Sequence, residues 1–131
     1  PVEADDERAA LADHLTELER LAGTPARLDL IQLGLGDDGH TASLVPGDLV
    51  LEATTDVAVS AEYKGTRRWT MTTPLINRAS ERLFLVTGAE KDEALHRLAT
   101  GDPGIPGSLI TDDQTFLATD RQIPGFSPTP W

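Results

Sequence analysis

LDLIQLGLGDDGHTASL, residues 28–44, joins a short apolar run to a glycine-rich segment and indicates how the chain folds. Residues 28–33 are rich in aliphatic side chains and end at a glycine, which is typical of a buried β-strand. The segment that follows contains three glycines, and glycine permits backbone conformations that other residues avoid. A strand that ends in such a loop indicates an α/β fold, in which ligands bind beyond the carboxyl ends of the strands.

Helical and extended segments alternate on both sides of this stretch. Upstream, Leu11, Leu15 and Leu18 recur at helical spacing, and Gly23 is placed to end the helix. The sequence predicts helices over 5–22, 74–79 and 90–99, and strands over 28–33, 57–60, 68–73, 82–87 and 115–118. This alternation predicts an α/β domain with a largely parallel sheet flanked by helices in a Rossmann-like, three-layer arrangement.

The chain is expected to form one domain with a short tail. Its 131 residues and 39% hydrophobic content are ordinary for a single domain. Residues 123–131, IPGFSPTPW, contain three prolines and therefore predict a segment without regular structure. We assign residues 1–122 to the domain and residues 123–131 to a Pro-rich tail.

Composition excludes several classes of function. The formal net charge of -11 and the absence of a Lys/Arg cluster argue against a nucleic-acid partner. No apolar stretch has the roughly 18 residues that a membrane helix needs, and the first residues lack a signal-peptide pattern, so we expect a cytoplasmic protein. The chain has no cysteine, and His14, His40 and His96 lack metal-ligand spacing, so no metal site is expected.

The glycine-rich loop carries the candidate chemistry. His40 ends its Asp-Asp-Gly-His segment, and an imidazole suits proton transfer near neutral pH when a neighbouring aspartate orients it. The spacing Gly-x-Gly-x-x-Gly also matches a dinucleotide-binding loop, but the chain has no acidic residue at the end of a second strand about 20 residues on. A surface turn with an exposed histidine is the alternative that the residue types alone leave open.

Three segments together resemble the 6-phosphogluconolactonases. Residues 33–47, LGLGDDGHTASLVPG, are similar to the family segment that carries the active-site histidine. Residues 68–77, RWTMTTPLIN, resemble an Arg-x-Thr-x-Thr-x-x-x-x-Asn pattern, and residues 87–91, TGAEK, a Thr-Gly-x-x-Lys turn. The Thr-Ala-Ser-Leu at 41–44 favours the lactonase branch over the related glucosamine-6-phosphate deaminases.

The resemblance implies hydrolysis of 6-phospho-D-glucono-1,5-lactone to 6-phosphogluconate in the pentose phosphate pathway, with no cofactor and no metal. His40 would act as a general base on water and Asp38 would orient it, while backbone N–H groups of the loop would stabilise the oxyanion. The implied substrate-binding residues are Gly36, Gly39, Thr41, Arg68 and Lys91, of which the two cations would hold the phosphate.

Members of that family are longer than this chain and begin with a half that supplies a phosphate loop and an Asp-Glu-Arg segment. We therefore expect the C-terminal half of a longer α/β domain, whose partner is the missing N-terminal half or a second copy. Asp6-Glu7-Arg8 has the same three letters but begins an amphipathic helix, so we interpret it as a coincidence. Two alternatives stay open: a sugar-phosphate isomerase or deaminase, and a catalytically incomplete half that serves as an association partner.

Overall fold

The computed structural model describes residues 6–127 of the chain. The helices are α1 (Glu7–Ala22), α2 (Thr73–Arg78) and α3 (Asp92–Ala99), and the strands are β1 (Leu30–Leu33), β2 (Val57–Val59), β3 (Trp69–Met71), β4 (Glu81–Val86) and β5 (Thr115–Thr119). Short 3-10 turns span Leu49–Glu52, Ala89–Lys91 and Pro106–Leu109. Every predicted element is present with its ends within two residues, except that the predicted start of the first helix, Asp5, lies outside the described residues.

A parallel sheet with the strand order β1-β4-β5 is the centre of the molecule. Leu30 lies opposite Glu81, and Phe84 lies opposite Leu117. The expected α/β class, with a parallel sheet flanked by helices, is confirmed. The chain crosses from β1 to β4 and then from β4 to β5, in the same direction along the sheet. Crossovers between parallel strands are right-handed, so the two connections lie on the same face of the sheet.

The core lies between that face of the sheet and the connecting segments. Ile31, Phe84 and Val86 point into it from the strands, and Ile76 of α2 and Leu95 of α3 meet them. All five are at most 3% exposed. Each fully buried side chain of this kind contributes roughly 1.5–3 kcal/mol, so the core fixes β1 and the loop that follows it.

β2 and β3 form a separate antiparallel pair, which the sequence did not distinguish from the main sheet. They are joined through a turn in which Lys64 and Gly65 have φ of 51° and 76°, the pattern of a type I′ hairpin turn. Helix α1 packs on this hairpin through its half-buried apolar stripe. The rings of His14 and Trp69 meet edge-on, with 4.9 Å between their centroids.

The opposite face of the parallel sheet is largely uncovered by the described residues. Leu30, Leu85 and Phe116 on this face are 53%, 48% and 42% exposed, although parallel sheets are normally buried on both faces. Of the three expected layers, the described residues therefore show two: the sheet and the helices on its other face.

The tail is described only in part. Residues 123–127 contain no helix or strand, and Ile123 packs against the core. The rest of the Pro-rich tail, including Trp131, lies outside the described residues. Between residues 6 and 127, no helix is long and apolar enough to cross a membrane.

Candidate active site

Residues 34–44 leave the carboxyl end of β1 and form a loop closed by its own hydrogen bonds. The Gly36 N–H donates to His40 O at 2.8 Å, and the Gly39 N–H donates to Gly36 O at 3.0 Å. The Thr41 hydroxyl donates to Gly34 O at 2.8 Å. These bonds set the loop conformation beyond the strand end, where α/β folds bind ligands.

Two of the loop glycines are required by close packing. A Cβ on Gly36 would lie 2.0 Å from His40 Nδ1, so only glycine lets the imidazole lie against the backbone. Gly39 has φ of 83°, and a Cβ there would lie 2.4 Å from the Ile105 side chain. Gly39 therefore packs against Ile105, and Gly36 packs against the His40 ring.

His40 and Asp38 form a close pair at the end of this loop. The distance from His40 Nδ1 to Asp38 Oδ1 is 2.6 Å, and the His40 backbone N–H donates to the same oxygen at 3.0 Å. The two side chains are 27% and 33% exposed, respectively. When Asp38 is ionised it accepts a hydrogen bond from a protonated Nδ1, which leaves Nε2 as the free basic nitrogen of the ring.

Tyr63 is a third member of this group, and the sequence analysis missed it. Its hydroxyl donates to Asp38 Oδ2 at 2.9 Å, and its ring centroid lies 5.5 Å from that of His40. Tyr63 belongs to the hairpin between β2 and β3, 25 residues from Asp38. A contact of that sequence separation leaves no local spacing pattern by which it could have been found.

The hydrogen bonds at Asp38 determine its charge. Burial raises the pKa of this carboxyl, but donors from His40 and Tyr63 outweigh burial and lower the pKa from 3.8 to about 2. Asp38 is therefore a carboxylate throughout the neutral range. In that state both of its oxygens accept hydrogen bonds, and the carboxylate can stabilise a positively charged imidazole.

The other predicted site residues lie in different parts of the fold and differ in exposure. Arg68 is exposed at the start of β3, and Lys91 is half-buried at the end of the turn that follows β4. Arg67, the neighbour of Arg68, pairs with Glu7 of α1 at 2.7 Å. Thr41 is only 1% exposed, so its side chain closes the loop, and a substrate contact from Thr41 stays a prediction.

The expected oxyanion donors are limited by the same hydrogen bonds. The N–H groups of Gly36, Gly39 and His40 donate to groups within the loop, so an oxyanion contact from them would require these bonds to open. Among residues 6–127, no group of three or more His, Cys, Asp or Glu side chains is arranged to hold a metal ion. The arrangement visible here is a histidine–aspartate pair, and such pairs suit proton transfer.

A model of the family described as glucosamine-6-phosphate isomerases/6-phosphogluconolactonase matches residues 1–118 of this chain. A 6-phosphogluconolactonase from Synechocystis is 50% identical over 74 residues, which are 56% of this chain and 31% of the relative. The 6-phosphogluconolactonase from Nostoc is 44% identical over 93 residues, which are 69% of this chain and 39% of the relative.

Solved structures agree in fold. The 6-phosphogluconolactonase from Trypanosoma cruzi superimposes with a TM-score of 0.72 at 27% identity, covering 90% of this chain and 52% of the other. The 6-phosphogluconolactonase from Trypanosoma brucei gives a TM-score of 0.70 at 25% identity, covering 91% and 52%. The chain thus spans about half the length of these solved relatives.

Proposed function

Because the chain belongs to the glucosamine-6-phosphate isomerase/6-phosphogluconolactonase family, we propose that it hydrolyses 6-phospho-D-glucono-1,5-lactone to 6-phosphogluconate, the lactone-opening step of the pentose phosphate pathway. One observation carries this proposal. The His40 imidazole lies 2.6 Å from an ionised Asp38, with Nε2 as its free nitrogen, beyond the end of a parallel strand. This is the arrangement of a general base.

In the proposed reaction, His40 Nε2 accepts a proton from a water molecule as its oxygen attacks the lactone carbonyl. The resulting imidazolium is stabilised by the Asp38 carboxylate. When the carbon–oxygen bond of the ring breaks, His40 returns the proton to the leaving oxygen, and the products are a carboxylic acid and a free hydroxyl. General acid–base catalysis of this kind supplies about 10²- to 10⁴-fold in rate.

The phosphate of the substrate requires cations, and we assign this role to Arg68 and Lys91. A guanidinium can bind two phosphate oxygens at once, whereas an ammonium acts as a point charge. Gly36 and Gly39 contribute differently, since the absence of side chains lets the loop backbone and the His40 ring approach the substrate. Thr41 holds this loop closed through its hydroxyl, and its contact with the substrate stays a prediction.

The solved relatives are about twice as long as this chain, and the sheet exposes Leu30, Leu85 and Phe116 on one face. We propose that residues 1–122 correspond to the C-terminal portion of the family domain. In the active form, the N-terminal half of the family fold covers this face and completes the substrate pocket. Because the pocket would be incomplete in this chain alone, we expect activity to depend on the added half.

The test measures acid release from 6-phosphogluconolactone above the rate without protein. The purified chain is assayed alone and mixed with the N-terminal half of the Synechocystis relative. We expect hydrolysis in the mixture, and His40→Ala should reduce it at least about 100-fold, since the general base is lost. His96→Ala is the matched control, because His96 is exposed on α3 and should leave the rate unchanged.

Three results would contradict the proposal. Equal rates for the native mixture and its His40→Ala variant would exclude His40 as the base. No hydrolysis in any mixture, combined with ammonia release from glucosamine 6-phosphate, would assign the chain to the deaminase branch. If neither assay shows activity but the added half binds tightly, the chain acts only as an association partner.

A further inference from the structure

Tyr63 occupies a fixed position beside the histidine–aspartate pair. It precedes the Lys64-Gly65 turn, and Tyr63 and Thr66 pair across this turn, with the Tyr63 N–H donating to Thr66 O at 3.0 Å. The hairpin is also attached to the rest of the molecule, because the Ala61 N–H donates to Asp48 Oδ2 at 2.8 Å. These bonds hold the backbone of the turn, and the hydrogen bond from the Tyr63 hydroxyl to Asp38 Oδ2 holds the tyrosine ring.

The tyrosine hydroxyl contacts the oxygen of Asp38 that His40 does not use. His40 donates twice to Oδ1, and Tyr63 donates to Oδ2 at 2.9 Å. A carboxylate bonded through only one oxygen can rotate about its Cβ–Cγ bond. With donors on both oxygens its plane is fixed, and so is the direction of the bond to Nδ1.

We propose that Tyr63 is a positioning residue, which orients the Asp38 carboxylate and thereby keeps the His40 proton on Nδ1 and the free electron pair on Nε2. Tyr63 does not itself touch the reacting atoms. Its effect passes through one hydrogen bond, so removal of the hydroxyl alone should reveal it. The kinetic part of this inference rests on the proposed lactonase function, whereas the tautomer of His40 can be measured without any substrate.

The test compares Tyr63→Phe with the native chain in long-range 1H–15N spectra at about pH 8, where a free imidazole is neutral. We expect the native His40 to carry its proton on Nδ1. In Tyr63→Phe the population with the proton on Nε2 should rise. In the reconstituted assay, kcat should fall about 5- to 10-fold with KM changed less than about twofold, as for the net loss of one ordinary hydrogen bond.

Thr66→Val is the control, because it changes the same hairpin turn and removes a hydroxyl that is not bonded to Asp38. It should leave both the His40 spectrum and kcat at native values. A Tyr63→Phe variant with the native His40 spectrum would overturn the proposal, whatever its activity. If no lactone hydrolysis is found even for the native mixture, the proposed function fails, and the spectra alone decide the role of Tyr63.

Discussion

Gly36 shows how strongly a single position constrains this site. Its Cα faces the His40 ring so closely that a Cβ would lie 2.2 Å from Cε1 and 2.7 Å from Asp38 Oδ1. Both members of the pair are half-buried and can move outward. A side chain at position 36 would thus displace the base without disturbing the core.

Gly36→Ala should therefore reduce lactone hydrolysis by about 10- to 100-fold, since a displacement of about 1 Å at a reacting group has effects of this size. The rate is measured in the reconstituted assay, and urea unfolding of the chain should change little. Gly34→Ala is the matched control, because a Cβ there meets nothing within 4 Å. Equal losses in both variants would show that the loop, and not the His40 position, is affected.

The same residues explain which part of the site was predictable. Asp38 and His40 are two positions apart, so a single turn brings them together and the motif records their proximity. Tyr63 reaches Asp38 only because the hairpin folds over the loop, where the Ser43 N–H donates to Thr70 Oγ1 of β3. That contact depends on the packing of whole elements, which residue spacing does not encode.

At the scale of elements, Arg82 of β4 connects a helix to two strands. It is 2% exposed, and its guanidinium donates to the carbonyls of Asn77 and Ala79, at 3.1 and 2.8 Å, at the end of α2. It also donates to Thr115 Oγ1 at the start of β5, at 2.8 Å. The charge is satisfied by helix-end carbonyls, whose partial negative charge favours a cation.

Arg82→Met should lower the free energy of unfolding by about 3 kcal/mol, because several buried carbonyls lose their donor at once. Urea unfolding followed by circular dichroism measures this change. The comparison is Arg20→Met, since the Arg20 side chain is 64% exposed on α1 and pairs with its helical neighbour Glu17. This surface change should leave the free energy of unfolding nearly unchanged, and an equally small effect at Arg82 would contradict the argument.

The elements themselves could be predicted because their signals are local. Aliphatic runs that end at Gly34 and Gly88 marked two of the parallel strands, and apolar spacing marked α1 and α3. The separation of β2 and β3 from the main sheet could not be predicted. Strands of three residues have too few positions to distinguish a parallel from an antiparallel partner.

At the scale of the whole molecule, the exposed sheet face is the dominant feature. Leu85 and Phe116 lie on neighbouring strands of this face, and both are more than 40% exposed. Apolar area of this kind favours a partner that covers it. The binding surface for the added N-terminal half should therefore include this face.

Phe116→Lys should weaken binding of the N-terminal half of the Synechocystis relative by about 10-fold or more, as expected when one buried aromatic contact is replaced by a charge. Isothermal titration calorimetry measures the affinity. Leu49→Lys provides the control, because Leu49 is 80% exposed on a turn outside the sheet. Indistinguishable affinities for the two variants would place the binding surface elsewhere.

The pairing of β1 with β4 also has a consequence for biosynthesis. Leu30 pairs with Glu81, so among residues 6–127 the sheet partner of β1 is synthesised about 50 residues after it. During that interval an aliphatic strand and its unpaired backbone are available to other nascent chains. Slow translation before residue 81 would prolong this exposure. A chaperone bound at residues 28–35 would keep the unpaired strand from contact with other nascent chains.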